Sequence, residues 1–186
     1  MNLENYLKSL NDLRKLTNWL EEIKEYLFTL IFDLKQSILI GKKILICGNG
    51  GSSAESSHFS SELVWKFKNL RKPIFAINLV SDMSLITAIA NDSSFEYIFS
   101  RQIEAFGNEG DFLFAFSTSG KSKNVNLAVM KAYEKKMKIV YMTGKNSFEV
   151  EHLCNYVFKV PSNDTPRIQE IHLFLIHSIC NELEEI

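Results

Sequence analysis

Apolar residues recur through the N-terminal region at alternating three- and four-residue steps: Leu3, Tyr6, Leu10, Leu13, Leu16, Leu20, Ile23, Leu27, Leu30, Leu34 and Ile38. That period is helical, and no proline interrupts it before Pro73, so it predicts a long amphipathic helix or a helix pair over residues 1–40. A stripe of this length exceeds what one small sheet can cover. Part of it is therefore expected to pack against further copies of the chain in a helical bundle.

From Lys42 the pattern changes to short, continuous apolar runs: Ile44-Leu45-Ile46-Cys47, Ile74-Phe75-Ala76-Ile77, Phe112 to Phe116, Ile139-Val140-Tyr141-Met142 and Tyr156-Val157-Phe158-Lys159-Val160. Continuous hydrophobicity marks strands covered on both faces, and the helical patterns between them imply right-handed crossovers into a parallel sheet. The expected fold class is α/β, a three-layer αβα arrangement around a mainly parallel five-stranded sheet with an N-terminal helical extension. No internal repeat, low-complexity tract or linker divides the 186 residues, so one domain is expected: residues 1–40 for oligomerisation and 41–186 as the α/β core.

Charge and cysteine content narrow the function classes. The 21 basic and 22 acidic residues nearly cancel, and no Lys/Arg run is long enough for a nucleic-acid arm. The stretch Trp65-Lys66-Phe67-Lys68-Asn69-Leu70-Arg71-Lys72 interleaves bases with aromatics but is expected to be an amphipathic helix end with a solvated basic face. Cys47, Cys154 and Cys180 form no Cys-x-x-Cys pair, which fits a reducing compartment. The Met1-to-Asn5 stretch has no basic region, and the longest apolar runs fall short of the ~20 residues that span a bilayer. The expectation is a cytoplasmic protein with neither nucleic-acid nor membrane partners.

In open parallel sheets the ligand sits beyond the carboxyl ends of the strands. After the Phe112–Phe116 run comes Ser117-Thr118-Ser119-Gly120-Lys121-Ser122, then a helical pattern from Asn124. Hydroxyls and backbone N–H groups at a helix N-terminus suit a phosphate ester, and the same residues would equally cap a strand-to-helix turn. After the first strand, Gly48-Asn49-Gly50-Gly51-Ser52-Ser53 lacks the third glycine of a dinucleotide fingerprint, and the second strand ends in Asn78 rather than an acid. No Walker A spacing follows Gly48 either, so no nucleotide cofactor is expected.

His58 and Glu62 stand four residues apart on one helical face, with Glu55 as a rival carboxylate on that face. The pair suits a metal, an acid/base couple or a surface hydrogen bond. In the last helix, Gln169 and His177 lie two turns apart and about 80° around the axis, while His172 points elsewhere. A histidine among Leu, Phe and Ile is by itself usually a core residue.

Read together, Gly48-Asn49-Gly50-Gly51-Ser52, His58-x-x-x-Glu62, Asn91-Asp92, Ser117-Thr118-Ser119-Gly120-x-Ser122 and Arg167-Ile168-Gln169-Glu170-x-His172-x-x-x-x-His177 resemble, in order and spacing, the sugar isomerase (SIS) domain family, and most closely its phosphoheptose isomerase branch. The resemblance runs from about Lys43 to the C-terminus. It implies a flavodoxin-like SIS fold, a homotetramer with active sites between subunits, and conversion of D-sedoheptulose 7-phosphate to D-glycero-D-manno-heptose 7-phosphate for bacterial surface glycans. It also implies that Ser117, Thr118, Ser119 and Ser122 hold the phosphate. Asn49, Gly50, Gly51, Ser52, Asn91 and Asp92 would line the sugar, with Glu62 and Gln169 also facing it. A zinc ion would be held by His58, Glu62, Gln169 and His177. An aldose–ketose shift through an enediol needs a base at carbon and an acid/base at the oxygens, roles that fall to Glu62 and His177.

Three positions depart from the family pattern. Trp65-Lys66 stands where relatives usually carry Gly-Arg, Ala90 and Ser93-Ser94 flank Asn91-Asp92, and Pro166 replaces an acidic residue before Arg167. The alternative from another class is a non-catalytic SIS protein, either a sugar-phosphate-sensing regulator or a scaffold resembling the DnaA initiator-associating protein. A pure binder needs the phosphate loop but has no use for the Glu62/His177 pair.

Overall fold

The computed structural model describes residues 3–186, so the first two positions of the expected helical region lie outside the described residues. The N-terminal stripe folds as a helix pair, α1 (Leu3–Glu22) and α2 (Lys24–Leu39). At Ile23 the backbone leaves helical geometry (φ −91°, ψ 1°), yet Ile23 N still donates to Trp19 O and Leu27 N to Ile23 O, so the axis is broken without a loop. α2 closes in a Schellman motif, Lys42 N donating to Ser37 O and Gly41 N to Ile38 O. It buries Leu27, Leu30, Ile31 and Leu34, whereas α1 buries only Leu16. Leu3, Tyr6, Leu7, Phe28 and Phe32 remain exposed.

Five parallel strands follow: β1 (Ile44–Gly48), β2 (Ala76–Asn78), β3 (Phe112–Ser117), β4 (Lys138–Thr143) and β5 (Tyr156–Lys159), in the order β2-β1-β3-β4-β5. β2 begins two residues later than the apolar run that announced it. Ile74 N there bonds Leu63 O at the end of a helix, so the start of that run is recruited away from the sheet edge.

The intervening helices are α3 (Gly51–Val64), α4 (Met83–Asp92), α5 (Ser100–Phe106), α6 (Lys123–Glu134) and α7 (Thr165–Glu182). Strand side chains alternate between two cores. Ile44, Ile46, Phe112, Phe114, Phe116, Val140, Met142 and Phe158 face α1, α2, α3 and α7. Leu45, Cys47, Leu113, Ala115, Ile139 and Tyr141 face residues of α5 and α6, with Ile86, Ile89 and Ala90 of α4 packed at the margin. Continuous hydrophobicity thus resolves into two alternating sets because both faces are covered.

α3 ends at Val64, one residue short of the basic-aromatic stretch. Residues 65–72 are not the expected helix end but a tight turn closed by an antiparallel bridge between Lys66 and Leu70. The turn is fastened to the chain's C-terminal end, Lys68 Nζ donating to Asn181 Oδ1 (2.7 Å) and Asn69 N to Glu184 Oε2 (2.6 Å). Arg71 donates to the carbonyls of Leu63 and Glu62 at 2.9 Å each, capping α3 with a charge suited to a helix C-terminus. Among the described residues no helix is long and apolar enough to cross a membrane.

Candidate active site

Strand order reverses between β1 and β3: the connection from β1 runs to one side and that from β3 to the other, which opens a crevice at their carboxyl ends. Two loops meet there. Asn49, after β1, and Asn124, in the first turn of α6, exchange amide hydrogen bonds of 2.8 and 2.9 Å, and Val125 N adds a third to Asn124 Oδ1. Asn49 therefore holds the glycine turn against the hydroxyl loop as well as facing the crevice. Asn124 has no place in the motif reading; its position one residue into a helix, opposite a glycine turn, was the available signal.

In the hydroxyl loop, Ser117 Oγ donates to Ser122 Oγ (2.9 Å), Gly120 N to Ser117 O (3.1 Å) and Lys121 N to Ser119 Oγ (3.1 Å). Gly120 adopts φ 68°, and a Cβ there would meet Phe148 at 2.8 Å, so the turn requires glycine. Asn126, itself held by the Tyr141 hydroxyl at 2.8 Å, donates to Gly120 O and stiffens the loop from behind. Ser122, the N-cap residue of α6, makes no side-chain cap, so its hydroxyl stays with Ser117 at the loop mouth. Ser117 is buried, Thr118 and Ser122 are half-buried and Ser119 is exposed, a graded ring of donors at a helix N-terminus.

The second half of the site comes from α3 and α7. Each follows a parallel strand and runs back along the sheet, so the two helices lie parallel and meet in register. Gly51 abuts Gln169, whose Nε2 lies 2.2 Å from where a Cβ on Gly51 would sit, so a side chain at 51 would push the Gln169 amide out of its present place. Further along, Glu55 Oε2 stands 3.8 Å from His172 Nδ1. At the next turn His58 Nε2 and His177 Nε2 are 2.8 Å apart, and Glu62 Oε1 is 3.8 Å from His58 Nε2. Glu62 and His177, 115 positions apart in sequence, are thus brought to one place through His58.

The environment suits proton transfer. Phe67 tilts over the His177 ring with centroids 5.5 Å apart. Burial, and then the charge of His58, hold the His177 pKa below the ordinary imidazole value, with Glu62 pulling the other way. Cys180, one turn beyond, is pushed up to about 12, chiefly by burial, and is no nucleophile. A cleft of about 890 Å³ between α1, α2 and α7 opens beside His177.

As a donor set, two imidazoles and a carboxylate match what zinc takes. Two imidazole nitrogens on one tetrahedral zinc stand roughly 3.3 Å apart, so the 2.8 Å pair would need only a small parting of the rings. Among the described residues no group of three or more His, Cys, Asp and Glu stands ready-made around a metal position, and Gln169 turns towards Gly51.

Asn91 and Asp92 are not brought to this place within one chain. They end α4 on the opposite layer, exposed, with Asn91 Nδ2 donating to Asp92 Oδ1 at 2.8 Å. Among the described residues no hydrogen bond or ion pair joins them to the α3/α7 cluster. Glu55, the sequence's rival carboxylate, turns inward to His172 rather than to the histidine pair.

Comparison with known proteins gives a consistent result. The SIS domain description matches residues 5–144. The chain is 49% identical over 145 residues to the phosphoheptose isomerase of Campylobacter jejuni, covering 78% of each. In structure it is similar to the phosphoheptose isomerases of Neisseria gonorrhoeae (TM-score 0.91, 32% identity, 99% of each chain) and Francisella tularensis (TM-score 0.92, 28% identity, 100% of each).

Proposed function

This chain belongs to the SIS-domain family, and from that premise we propose that it is a phosphosugar isomerase converting D-sedoheptulose 7-phosphate to D-glycero-D-manno-heptose 7-phosphate. The observation that carries the reading is the gathering of Glu62, His58 and His177 on parallel helices whose N-terminal end borders the Asn49–Asn124 crevice. Relatives such as the 49% identical phosphoheptose isomerase of Campylobacter jejuni support the choice of sugar.

The hydroxyls of Ser117, Thr118, Ser119 and Ser122 and the first N–H groups of α6 anchor the phosphate, leaving the sugar chain to lie along Asn49, Gly50, Gly51 and Ser52. Glu62 takes a proton from C1 of the ketose, and the electron pair moves to give an enediol. His177 supplies a proton to O2 and removes the one on O1. Return of the carbon-bound proton to C2 from Glu62 leaves the carbonyl at C1, so every proton is restored. His58 fixes the orientation of His177. His58, Glu62 and His177, with Gln169, are the residues that would hold a zinc ion, which when bound polarises the carbonyl.

The exposed apolar residues of α1 and α2 support assembly, as a homotetramer, and a site completed at a subunit boundary. In that arrangement Asn91 and Asp92 would reach the sugar of a neighbouring subunit. A role in heptose supply for lipopolysaccharide or capsule follows from the product. A non-catalytic regulator would have no use for the half-buried acid–base constellation.

The test is to incubate the protein with sedoheptulose 7-phosphate in deuterated water, with and without chelator. Deuterium at C2 of the aldose is the expected result; binding without exchange or product would overturn the reading.

A further inference from the structure

Midway between the histidine pair and the hydroxyl loop lies a buried polar cluster that the reaction above does not use. His172 is fully buried and Glu55 is 8% exposed. Both Glu55 carboxylate oxygens, His172 Nδ1 and Thr143 Oγ1 are buried without a hydrogen-bond partner, while His172 Nε2 lies 3.4 Å from Thr143 O. Unpaired carboxylate and imidazole groups are not stable in an apolar interior, so a 3.8 Å gap between them must close by side-chain rotation or through one water. With Nε2–H on the Thr143 carbonyl, Nδ1 is the ring atom turned to Glu55.

The placement gives this couple mechanical reach. Glu55 is one turn before His58 on α3, and His172 lies between Gln169 and His177 on α7. Thr143 ends β4, and the next residue, Gly144, donates its N–H to Thr118 O in the hydroxyl loop (3.0 Å). One buried point therefore touches both helices and the strand end that carries the loop.

We propose that Glu55 and His172 are a positioning couple for the isomerase reaction, which rests on the function argued above: joined to each other, they hold α3 in the register on α7 that brings His58 and Glu62 to His177, and through Thr143 they tie that helix pair to the phosphate-holding loop. Neither residue touches the sugar. The couple acts through the alignment of groups that do.

The experiment compares Glu55→Met, which keeps volume but removes the hydrogen-bonding partner, with Glu55→Gln, whose amide N–H can still donate to His172 Nδ1 while Nε2–H stays on the Thr143 carbonyl. Turnover, thermal melting and the ring ¹⁵N resonances of His58 and His177 in substrate-free protein are measured for each. Glu55→Met is expected to lose about 10- to 100-fold in kcat per folded molecule, the range a misplacement of about 1 Å produces, with KM within about twofold. The His58 and His177 resonances should move, and Glu55→Gln should recover most of both effects. His172→Leu should lower kcat and also raise KM, because it releases Thr143 as well. If Glu55→Met does not fold, the paired Glu55→Met/His172→Leu protein leaves no orphan charge and should fold yet remain slow. Losses that track only the unfolded fraction, unmoved His58 and His177 resonances, or a Gln variant no better than Met would each overturn the proposal. Failure of the unaltered protein to turn over sedoheptulose 7-phosphate would sink the functional reading instead, and the ring resonances would still decide this inference.

Discussion

Two imidazole nitrogens 2.8 Å apart can be joined only if one carries the hydrogen and the other does not. His177 is therefore held in a defined protonation relation to His58, with Glu62 the adjacent carboxylate. Glu62→Gln removes the base at nearly constant volume; turnover of sedoheptulose 7-phosphate is expected to fall by about 10²- to 10⁴-fold with an unchanged melting temperature. Ser119 already accepts from Lys121 N, so its hydroxyl hydrogen is free for a phosphate oxygen in ground and transition states alike. Ser119→Ala should raise KM several-fold and leave kcat nearly intact, read from initial rates.

The lowered His177 pKa has a signed consequence for stability. The unfolded chain takes up this proton near pH 6.5 and the native chain only at lower pH, so within that window the unfolded state binds more protons and stability falls as pH drops. Above pH 6.5 both states are neutral at this residue and its contribution vanishes. In chelator-treated protein, His177→Gln should show a shallower fall of melting temperature between pH 7 and about pH 5 than the unaltered chain.

Among the elements, the pairing of α3 with α7 decides most of the site, and it was only partly legible in the sequence. The spacing His58-x-x-x-Glu62 and the Gln169/His177 flank each show in one helix, because helical periodicity is local. Their meeting depends on two helices far apart in the chain lying parallel, which the crossover topology sets and no local pattern shows. The same distinction explains Glu55 and His172: a helical wheel gives each a direction but cannot reveal that the two directions converge on a shared interior point. Over residues 65–72, alternating bases and aromatics fit a helix face as well as a turn. What selects the turn is Arg71 folding back on α3 and the anchoring by Asn181 and Glu184, all long-range contacts. Arg71→Ala strips charged donors from the Glu62 and Leu63 carbonyls, and chemical denaturation should register a loss of about 1.5–3 kcal/mol.

For the whole molecule, the five strands, their parallel sense and the helical N-terminal region were readable because continuous apolar runs and a helical period survive without tertiary information. The break at Ile23 was not, since the stripe passes through it uninterrupted. The exposed side of that helix pair, Phe28 and Phe32 included, is the feature a lone subunit leaves unexplained. Phe32→Asp, at a position 65% exposed, should leave the subunit's fold intact by circular dichroism while shifting sedimentation towards smaller species and reducing activity with it.

α3, α6 and α7 all begin at the same rim of the sheet, the one where the strands end. Their peptide dipoles consequently point positive ends at a common region, and a chain whose formal charge is only −1 gains a local attraction for anions without a cluster of lysines. Capture of a doubly charged sugar ester by such short-range dipoles should weaken little as ionic strength rises, unlike steering by a cloud of surface cations.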